Sequence, residues 1–138
     1  MKNVVRVDRE LEDPLPAEAR ELDMVVIRLF YHDTVWQNVD RVRMNRSIFA
    51  ALRRGGRCVV VDHRGSYGIG LTQTKTLHRI EKSVVQSEIE QVGFRLASAM
   101  DILRVLSDTR DWNASPRPAA KAERRGQSDR FVLLFEIP

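Results

Sequence analysis

Asp23-Met24-Val25-Val26-Ile27-Arg28-Leu29-Phe30 is a nearly continuous apolar run with the length of one β-strand. A strand with one face in water alternates polar and apolar side chains, whereas an unbroken apolar run is typical of a strand covered on both faces. Such strands occur in parallel sheets, where helices pack on the two faces. We therefore predict that residues 23–30 form a strand of a parallel α/β sheet.

A helix and a second strand are predicted directly after this run. Five apolar side chains recur at steps of three, four and seven, which places them on one side of an α-helix. They are Val35, Val39, Val42, Phe49 and Leu52. Asp33 or Thr34 can cap the start of this helix, and Gly55-Gly56 can supply the left-handed turn that ends it. Cys58-Val59-Val60-Val61-Asp62 then predicts a buried strand, so the three segments indicate a βαβ unit with parallel strands.

Two further segments have a clear apolar pattern. Residues 4–7 are mostly β-branched and predict a short strand before an acidic, proline-containing loop. A second helix is predicted from apolar residues that share one face, namely Val84, Val85, Ile89 and Val92. A capping box from Ser83 to Gln86 would start this helix, and Gly93 would end it.

The C-terminal half alternates between strands and loops. Residues 94–97 predict a strand that passes into a short helical turn at residues 100–106, and residues 130–137 predict the last strand. Residues 63–78 and 107–129 have no clear period and are predicted loops. No repeat or linker divides the chain, so we predict one domain over residues 1–138.

Composition narrows the classes of partner and compartment. The chain has 138 residues, 43% hydrophobic and 30% charged, as in a globular domain. Its net charge of +4 is spread along the chain rather than set in a basic stripe with aromatic residues, so we expect no nucleic-acid partner. Cys58, the only cysteine, lies in an apolar run and predicts a small buried side chain rather than a nucleophile. No run reaches the roughly 18 apolar residues of a membrane span, so we expect a cytoplasmic protein without a membrane partner.

The order of these segments, with the residues at their ends, resembles the second half of the class I S-adenosylmethionine-dependent methyltransferases. The matching segments are Tyr31-His32-Asp33, Ala51-Leu52-Arg53-Arg54-Gly55-Gly56, Asp62-His63, Leu77-His78-Arg79-Ile80, Gly93-Phe94 and Arg125-Gly126-Gln127-Ser128-Asp129-Arg130-Phe131. They are similar to a bacterial branch of predicted methyltransferases, although Arg54 replaces a proline that the family often has. The resemblance covers nearly the whole chain from Val4 onward. It implies a partial Rossmann-like fold, with a mostly parallel sheet and an antiparallel C-terminal strand.

The glycine-rich half of the family has no counterpart in this sequence. There, the first strand ends in a Gly-x-Gly-type turn against the cofactor, and the second ends in an acidic residue that binds the ribose. The resemblance makes residues 4–7, 23–30 and 58–61 the third, fourth and fifth strands. What remains of the S-adenosylmethionine site would then be Glu10, Asp13, Phe30, Tyr31 and His32. The resemblance thus implies a truncated methyltransferase that binds its cofactor weakly or not at all on its own.

Histidine and aspartate pairs follow both strands of the predicted βαβ unit. In open α/β sheets ligands bind outside the carboxyl ends of the strands, and neighbouring strands lie about 4.8 Å apart. His32-Asp33 and Asp62-His63 can therefore converge, and His78 can join them from the following loop. We name His32, His63 and His78 as catalytic candidates.

Three interpretations of these residues stay open. A His-Asp pair could deprotonate a substrate hydroxyl, or the group could bind a metal. Alternatively, Asp33 caps a helix, His32 lines a cleft, and His78-Arg79 hold a loop. Because no close metal-ligand spacing such as H-x-x-x-H is present, we assign no metal ligand.

Candidate substrate contacts lie on or near the same loops. They are Asp33, Trp36, Asp62, Arg79 and Trp112. The two tryptophans could form an aromatic wall, or they could be ordinary core and loop anchors. Gly65-x-x-Gly68-x-Gly70 is not a dinucleotide-binding turn, because residues 71–76 intervene before the next helix and the order of the glycines is wrong. We predict a flexible substrate-side loop instead.

The sequence is compatible with three functions. The first is a methyltransferase, whole or in part, with a small-molecule acceptor. The second is a non-catalytic binding or scaffold module of the same fold, and the third is a small metal-dependent enzyme using His32, His63 and His78.

The missing strands also have a physical consequence, because they would leave residues 23–30 as an apolar sheet edge. We predict that residues 4–7 cover this edge, or that a second copy or a complementing N-terminal half pairs with it.

Overall fold

A four-stranded sheet forms the centre of the molecule in the computed structural model, which describes residues 3–116 and 122–138. The strands are β1 (Leu22–Arg28), β2 (Leu52–His63), β3 (Arg95–Met100) and β4 (Arg130–Glu136), in the order β1-β2-β4-β3. β1 and β2 are parallel, whereas β4 is antiparallel to both of its neighbours. β4 alone therefore runs against the other strands, which confirms the predicted sheet with an antiparallel C-terminal strand.

The helices place the core on one face of this sheet. They are α1 (Tyr31–Trp36), α2 (Arg41–Ala51) and α3 (Lys82–Glu90), with a single 3-10 turn at Ala122–Arg124. None of the described helices is long and apolar enough to cross a membrane. One buried apolar cluster joins the inner sides of α2 and α3 to β2 and β4. Its members include Met44, Ile48, Val85, Ile89, Cys58, Val60, Leu133 and Phe135. Burial raises the pKa of the Cys58 thiol to about 12, which confirms a buried side chain rather than a nucleophile.

The single helix predicted over residues 35–52 is wrong, because the structure has two helices there. Asn38 takes a left-handed conformation with φ of 56°, which ends the first helical stretch. Asp40 then caps α2, where its carboxylate accepts the Arg43 backbone N–H at 2.9 Å. Asp33 and Thr34 lie inside the first turn of α1 instead of capping a helix.

Gly55 and Gly56 do not end a helix, which corrects a second prediction. Ala51 is the last helical residue, and Leu52 already begins β2. Leu22 pairs with Leu52 and Met24 with Arg57, so the glycines lie in a bulge on β2. Gly55 has φ of 69°, and a Cβ on Gly56 would lie 2.7 Å from the Arg53 carbonyl oxygen. The glycines are needed because the backbone turns tightly here.

Three other predictions also need correction. Residues 4–7 form no strand, and Val5 is 84% exposed. The capping box is not formed, because Ser83 donates to the Glu81 carboxylate and the Gln86 side chain donates to Glu90. The strand predicted over residues 94–97 continues through Met100, and no helix follows at residues 100–106.

The predicted helix end at Gly93 and the two predicted loops agree with the described residues. Gly93 has the left-handed φ of 110° expected at a helix end. Residues 63–78 form turns rather than a helix or a strand beyond His63. The predicted loop 107–129 contains the 3-10 turn, and residues 117–121 lie outside the described residues.

β1 forms an edge of the sheet, with β2 as its neighbour on one side. Val25 and Ile27 pack against the core, but Met24 and Val26 on the other face are 49% and 56% exposed. The prediction that residues 4–7 pair along this edge is wrong. Among the described residues, the edge and its second face remain open.

Candidate functional site

Asp62 joins the ends of the two parallel strands. α1 starts just after β1, which places His32 beside the carboxyl end of β2. The Asp62 carboxylate is fully buried and accepts hydrogen bonds from the His32 backbone N–H at 2.9 Å and from His32 Nδ1 at 2.7 Å. It also accepts the backbone N–H of His63 at 2.8 Å. The two predicted His-Asp pairs therefore meet at one edge of the sheet.

Asp33 and His78 complete this cluster on the other side of the His32 ring. His32 Nε2 lies 3.1 Å from His78 Nδ1 and 3.1 Å from Asp33 Oδ1, and the last two atoms are 3.3 Å apart. His78 reaches this position from the loop after β2 with a left-handed φ of 51°. Trp36 donates its indole N–H to the same Asp33 oxygen at 2.9 Å. His32, Asp33 and His78 are the described residues whose atoms converge closely enough to hold a metal ion.

The two histidines nearest Asp62 have opposite pKa shifts. Burial lowers the pKa of His32, but the hydrogen bond and charge of Asp62, with the charge of Asp33, outweigh it and raise this pKa above its ordinary value. Burial dominates at His63 and lowers its pKa to about 4. His63 Nδ1 forms a hydrogen bond with Ser128 Oγ at 2.8 Å. The carboxylates of Asp62 and Asp33 thus raise the pKa of His32, whereas burial lowers that of His63.

Arg79 and Trp112 hold the long loop against the sheet. The Arg79 side chain is fully buried and donates to the Asp108 carboxylate at 2.8 and 3.2 Å. It also donates to the backbone oxygen of Trp112 and lies 4.7 Å above the Trp112 ring. These contacts are those of a loop anchor, one of the alternatives left open by the sequence.

A cavity of about 210 Å³ lies beside His63, between the end of β1 and the long loop. Its lining includes Arg28, Trp112, Ser128 and Arg130. Sequence reasoning did not single out Ser128 or Arg130, although both belong to a segment that carried the family resemblance. Their position just before the last strand was the available signal. Trp112 lines this cavity, whereas Trp36 lies on the Asp33 side of the cluster.

A second, apolar groove of about 280 Å³ lies on the side predicted for the cofactor. Leu11, Phe30 and Met44 are among its lining residues. Tyr31 does not line it, because this side chain is fully buried, with its hydroxyl between Asn45 and Glu88 at 2.9 Å from each. His32 is likewise not among the lining residues.

The two acidic residues predicted near the cofactor differ in their surroundings. Glu10 is exposed. Asp13 accepts hydrogen bonds from the Ser47 hydroxyl and from Arg9, which hold its pKa below the ordinary value. Ser47 lies on α2, so Asp13 ties the N-terminal loop to that helix.

No protein-family model matches the sequence, and no curated protein matches it. Solved structures do match the fold. A SAM-dependent methyltransferase from Methanosarcina mazei aligns with a TM-score of 0.58 and 11% identity, over 93% of this chain and 65% of its own. An S-adenosylmethionine-dependent methyltransferase from Mesorhizobium loti aligns with a TM-score of 0.52 and 16% identity, over 94% and 68%. This is a partial class I methyltransferase fold.

The 4+2 cyclase SpnF also aligns, with a TM-score of 0.59 and 16% identity over 96% of this chain and 54% of its own. The chain therefore spans between about half and two thirds of the length of these structures. A shared fold at this identity does not fix the reaction, because function depends on the residues of the site.

Proposed function

We propose that this chain is the acceptor-side part of an S-adenosylmethionine-dependent methyltransferase that acts on a small molecule. The observation that carries this proposal is the buried Asp62–His32 pair at the carboxyl ends of β1 and β2. In open α/β sheets this is the edge where ligands bind. The methyltransferase fold suggests methyl transfer as the reaction at this edge. Asp33 and His78 supply further polar groups beside it.

Methyl transfer from this cofactor is a direct displacement. When bound, S-adenosylmethionine would supply the methyl group to an acceptor lone pair, and its sulfur would leave as the neutral thioether. The acceptor's proton passes to a group of the edge cluster, for which His32, His63 and His78 are the candidates. The protein otherwise contributes alignment of acceptor and methyl group. Asp33 and Trp112 are the nearest candidates for contact with the acceptor. The substrate role predicted for Asp62 does not fit its full burial, so Asp62, Trp36 and Arg79 act as supporting residues.

The apolar groove beside β1 fits only one side of the cofactor. Leu11 and Phe30 offer a surface suited to the adenine ring, but the described residues there include no glycine turn for the methionine end. We therefore expect this chain alone to bind S-adenosylmethionine weakly or not at all. A complementing N-terminal part would supply the rest of the site.

The test uses S-adenosylmethionine with a labelled methyl group and the small-molecule fraction of a cell extract. If the coding sequence extends upstream, the extended protein is assayed beside this chain. We expect label in a small-molecule product, and strong loss of transfer in His32→Gln and Asp62→Asn. Arg46→Gln is the matched control, because Arg46 is exposed on α2, outside the cluster.

Two results would overturn the proposal. One is a folded, extended protein that neither binds the cofactor in a calorimetric titration nor transfers label, which would favour a non-catalytic module. The other is transfer that is unchanged in both cluster variants.

A further inference from the structure

We propose that His32, Asp33 and His78 bind one divalent transition-metal ion. The three ligand atoms would be His32 Nε2, Asp33 Oδ1 and His78 Nδ1, which lie 3.1, 3.1 and 3.3 Å from one another. Their side chains are 3%, 23% and 15% exposed, so the group is sheltered but reachable. This site is inferred from geometry alone and does not depend on methyl transfer.

The separations match those around a single ion. Metal bonds to imidazole nitrogen and carboxylate oxygen are about 2.0–2.2 Å long, so two ligands lie roughly 3.0 Å apart at a right angle and roughly 3.4 Å apart at a tetrahedral angle. The observed values fall between these limits. An ion just above the plane of the three atoms would reach each of them without movement of the backbone.

Asp62 is placed as the residue that orients His32 for this role. A carboxylate can only accept, so the contact at 2.7 Å puts the His32 proton on Nδ1 and leaves the lone pair of Nε2 facing Asp33 and His78. Metal-binding histidines commonly donate their other ring N–H to a carboxylate in this way. The Trp36 indole N–H similarly fixes the Asp33 oxygen at 2.9 Å.

A proton on His32 Nε2 is the competing explanation for the cluster. Such a proton can be donated to Asp33 or to His78, or shared by both in a bifurcated hydrogen bond. An ion at the centre would instead bind all three atoms together, and the three separations all fall in the range for ligands of one ion.

The ligand set indicates the class of ion. Two imidazole nitrogens and one carboxylate suit Zn²⁺, Fe²⁺ or a similar first-row ion, whereas Mg²⁺ and Ca²⁺ prefer oxygen ligands. Three protein ligands leave positions for water or a substrate oxygen, as in catalytic rather than structural metal sites. If the chain transfers methyl groups, such an ion would hold the acceptor oxygen and favour loss of its proton.

The experiment is a calorimetric titration of the chelator-treated protein with Zn²⁺ alone, followed by elemental analysis of the dialysed protein. We expect one ion per chain. Asp62→Asn should weaken binding by about 10–100-fold, as is usual for residues that orient a ligand, and Asp33→Asn and His78→Asn should weaken it more. Asparagine is chosen at position 78 because it tolerates the left-handed backbone conformation.

Asp101→Asn is the matched control. It makes the same change as Asp33→Asn, at a carboxylate that is 77% exposed and outside the group of three. This variant should bind Zn²⁺ as the unchanged protein does. Circular dichroism of each variant separates loss of a ligand from loss of the fold.

Absence of Zn²⁺ binding by the folded, unchanged chain would overturn the metal site. So would equal losses in the Asp33 and Asp101 variants. Neither result bears on methyl transfer, because the titration contains no cofactor.

Discussion

Buried carboxylates decide where the functional residues of this chain lie. Asp62 orients His32 through two hydrogen bonds, and Asp129 holds the segment that carries Ser128. Asp129 is fully buried and pairs with Arg104 at 3.0 Å, Arg110 at 2.9 Å and Arg64 at 3.4 Å. Removal of one partner from such a group leaves uncompensated charge in the interior.

Asp129→Asn should therefore lower the free energy of unfolding by about 3–5 kcal/mol. Asp101→Asn is the control, because Asp101 faces one of the same arginines, Arg104, at 3.6 Å but is 77% exposed. An exposed pair contributes up to about 1 kcal/mol, so this variant should stay within that range. Urea denaturation gives the free energy of unfolding of the two variants and of the unchanged protein. Similar effects of the two substitutions would show that burial of the Asp129 network adds no stability.

The residue types of the site were predictable, but their grouping was not. His32-Asp33 and Asp62-His63 could be found because ligands bind at the carboxyl ends of parallel strands. The spacing rule that argued against a metal looks for ligands one helical turn apart. His78 lies in a loop, 46 residues after His32 in the chain. Its approach to His32 depends on a left-handed backbone conformation that could not be predicted from the sequence.

The ends of helices and strands were predicted wrongly where backbone conformation, rather than the spacing of apolar residues, sets them. The apolar positions of α1 and α2 share one period, so they predicted one helix. Asn38 and Asp40 divide it, because one takes a left-handed conformation and the other caps a new start. The Gly55-Gly56 pair fits a helix end and a strand bulge equally well by sequence. Pairing with β1 selects the bulge, and pairing is a property of the folded sheet.

Gly56→Ala tests this bulge. The added Cβ would lie 2.7 Å from the Arg53 carbonyl oxygen and 3.0 Å from that of Leu22, and both oxygens belong to the backbone. We expect a loss of about 1–3 kcal/mol in the free energy of unfolding, as is typical of overpacking. Arg54→Ala, at an exposed position of the same bulge, should change it by less than about 0.5 kcal/mol. A neutral Gly56→Ala would mean that the bulge relaxes freely.

The molecule as a whole is an α/β sheet with its apolar cluster on one face and an open edge at β1. The parallel pairing of β1 and β2 and the antiparallel last strand were predictable, because the apolar runs and their sequence resemble a known family. The absence of a strand at residues 4–7 could not be predicted, since a short β-branched segment forms a strand only when it can pair with a sheet edge in the right position. In this structure Met24 and Val26 stay exposed instead.

An open apolar edge is a site for pairing with another chain, so we expect this chain to self-associate through β1. Val26→Lys should weaken the association by at least an order of magnitude, because it places a charge beside the edge. Val42→Lys adds the same charge on α2, at a side chain that is also exposed, and should leave association unchanged. Sedimentation velocity over a range of concentrations measures the three proteins. A monomer at every concentration would contradict the expectation.

The position of the proton on the His32 ring tests most directly whether the ends of β1 and β2 build a ligand site. The metal proposal requires Asp62 to hold Nδ1–H, so that Nε2 faces Asp33 and His78, and methyl transfer with His32 as the base requires the same. Long-range ¹H–¹⁵N NMR spectra of the metal-free protein report this position. The buffer must be alkaline enough to leave the ring neutral, since Asp62 raises the pKa of His32. We predict a proton on Nδ1, a bare Nε2 and a changed pattern in Asp62→Asn; a proton on Nε2, or an unchanged spectrum in that variant, would contradict the site.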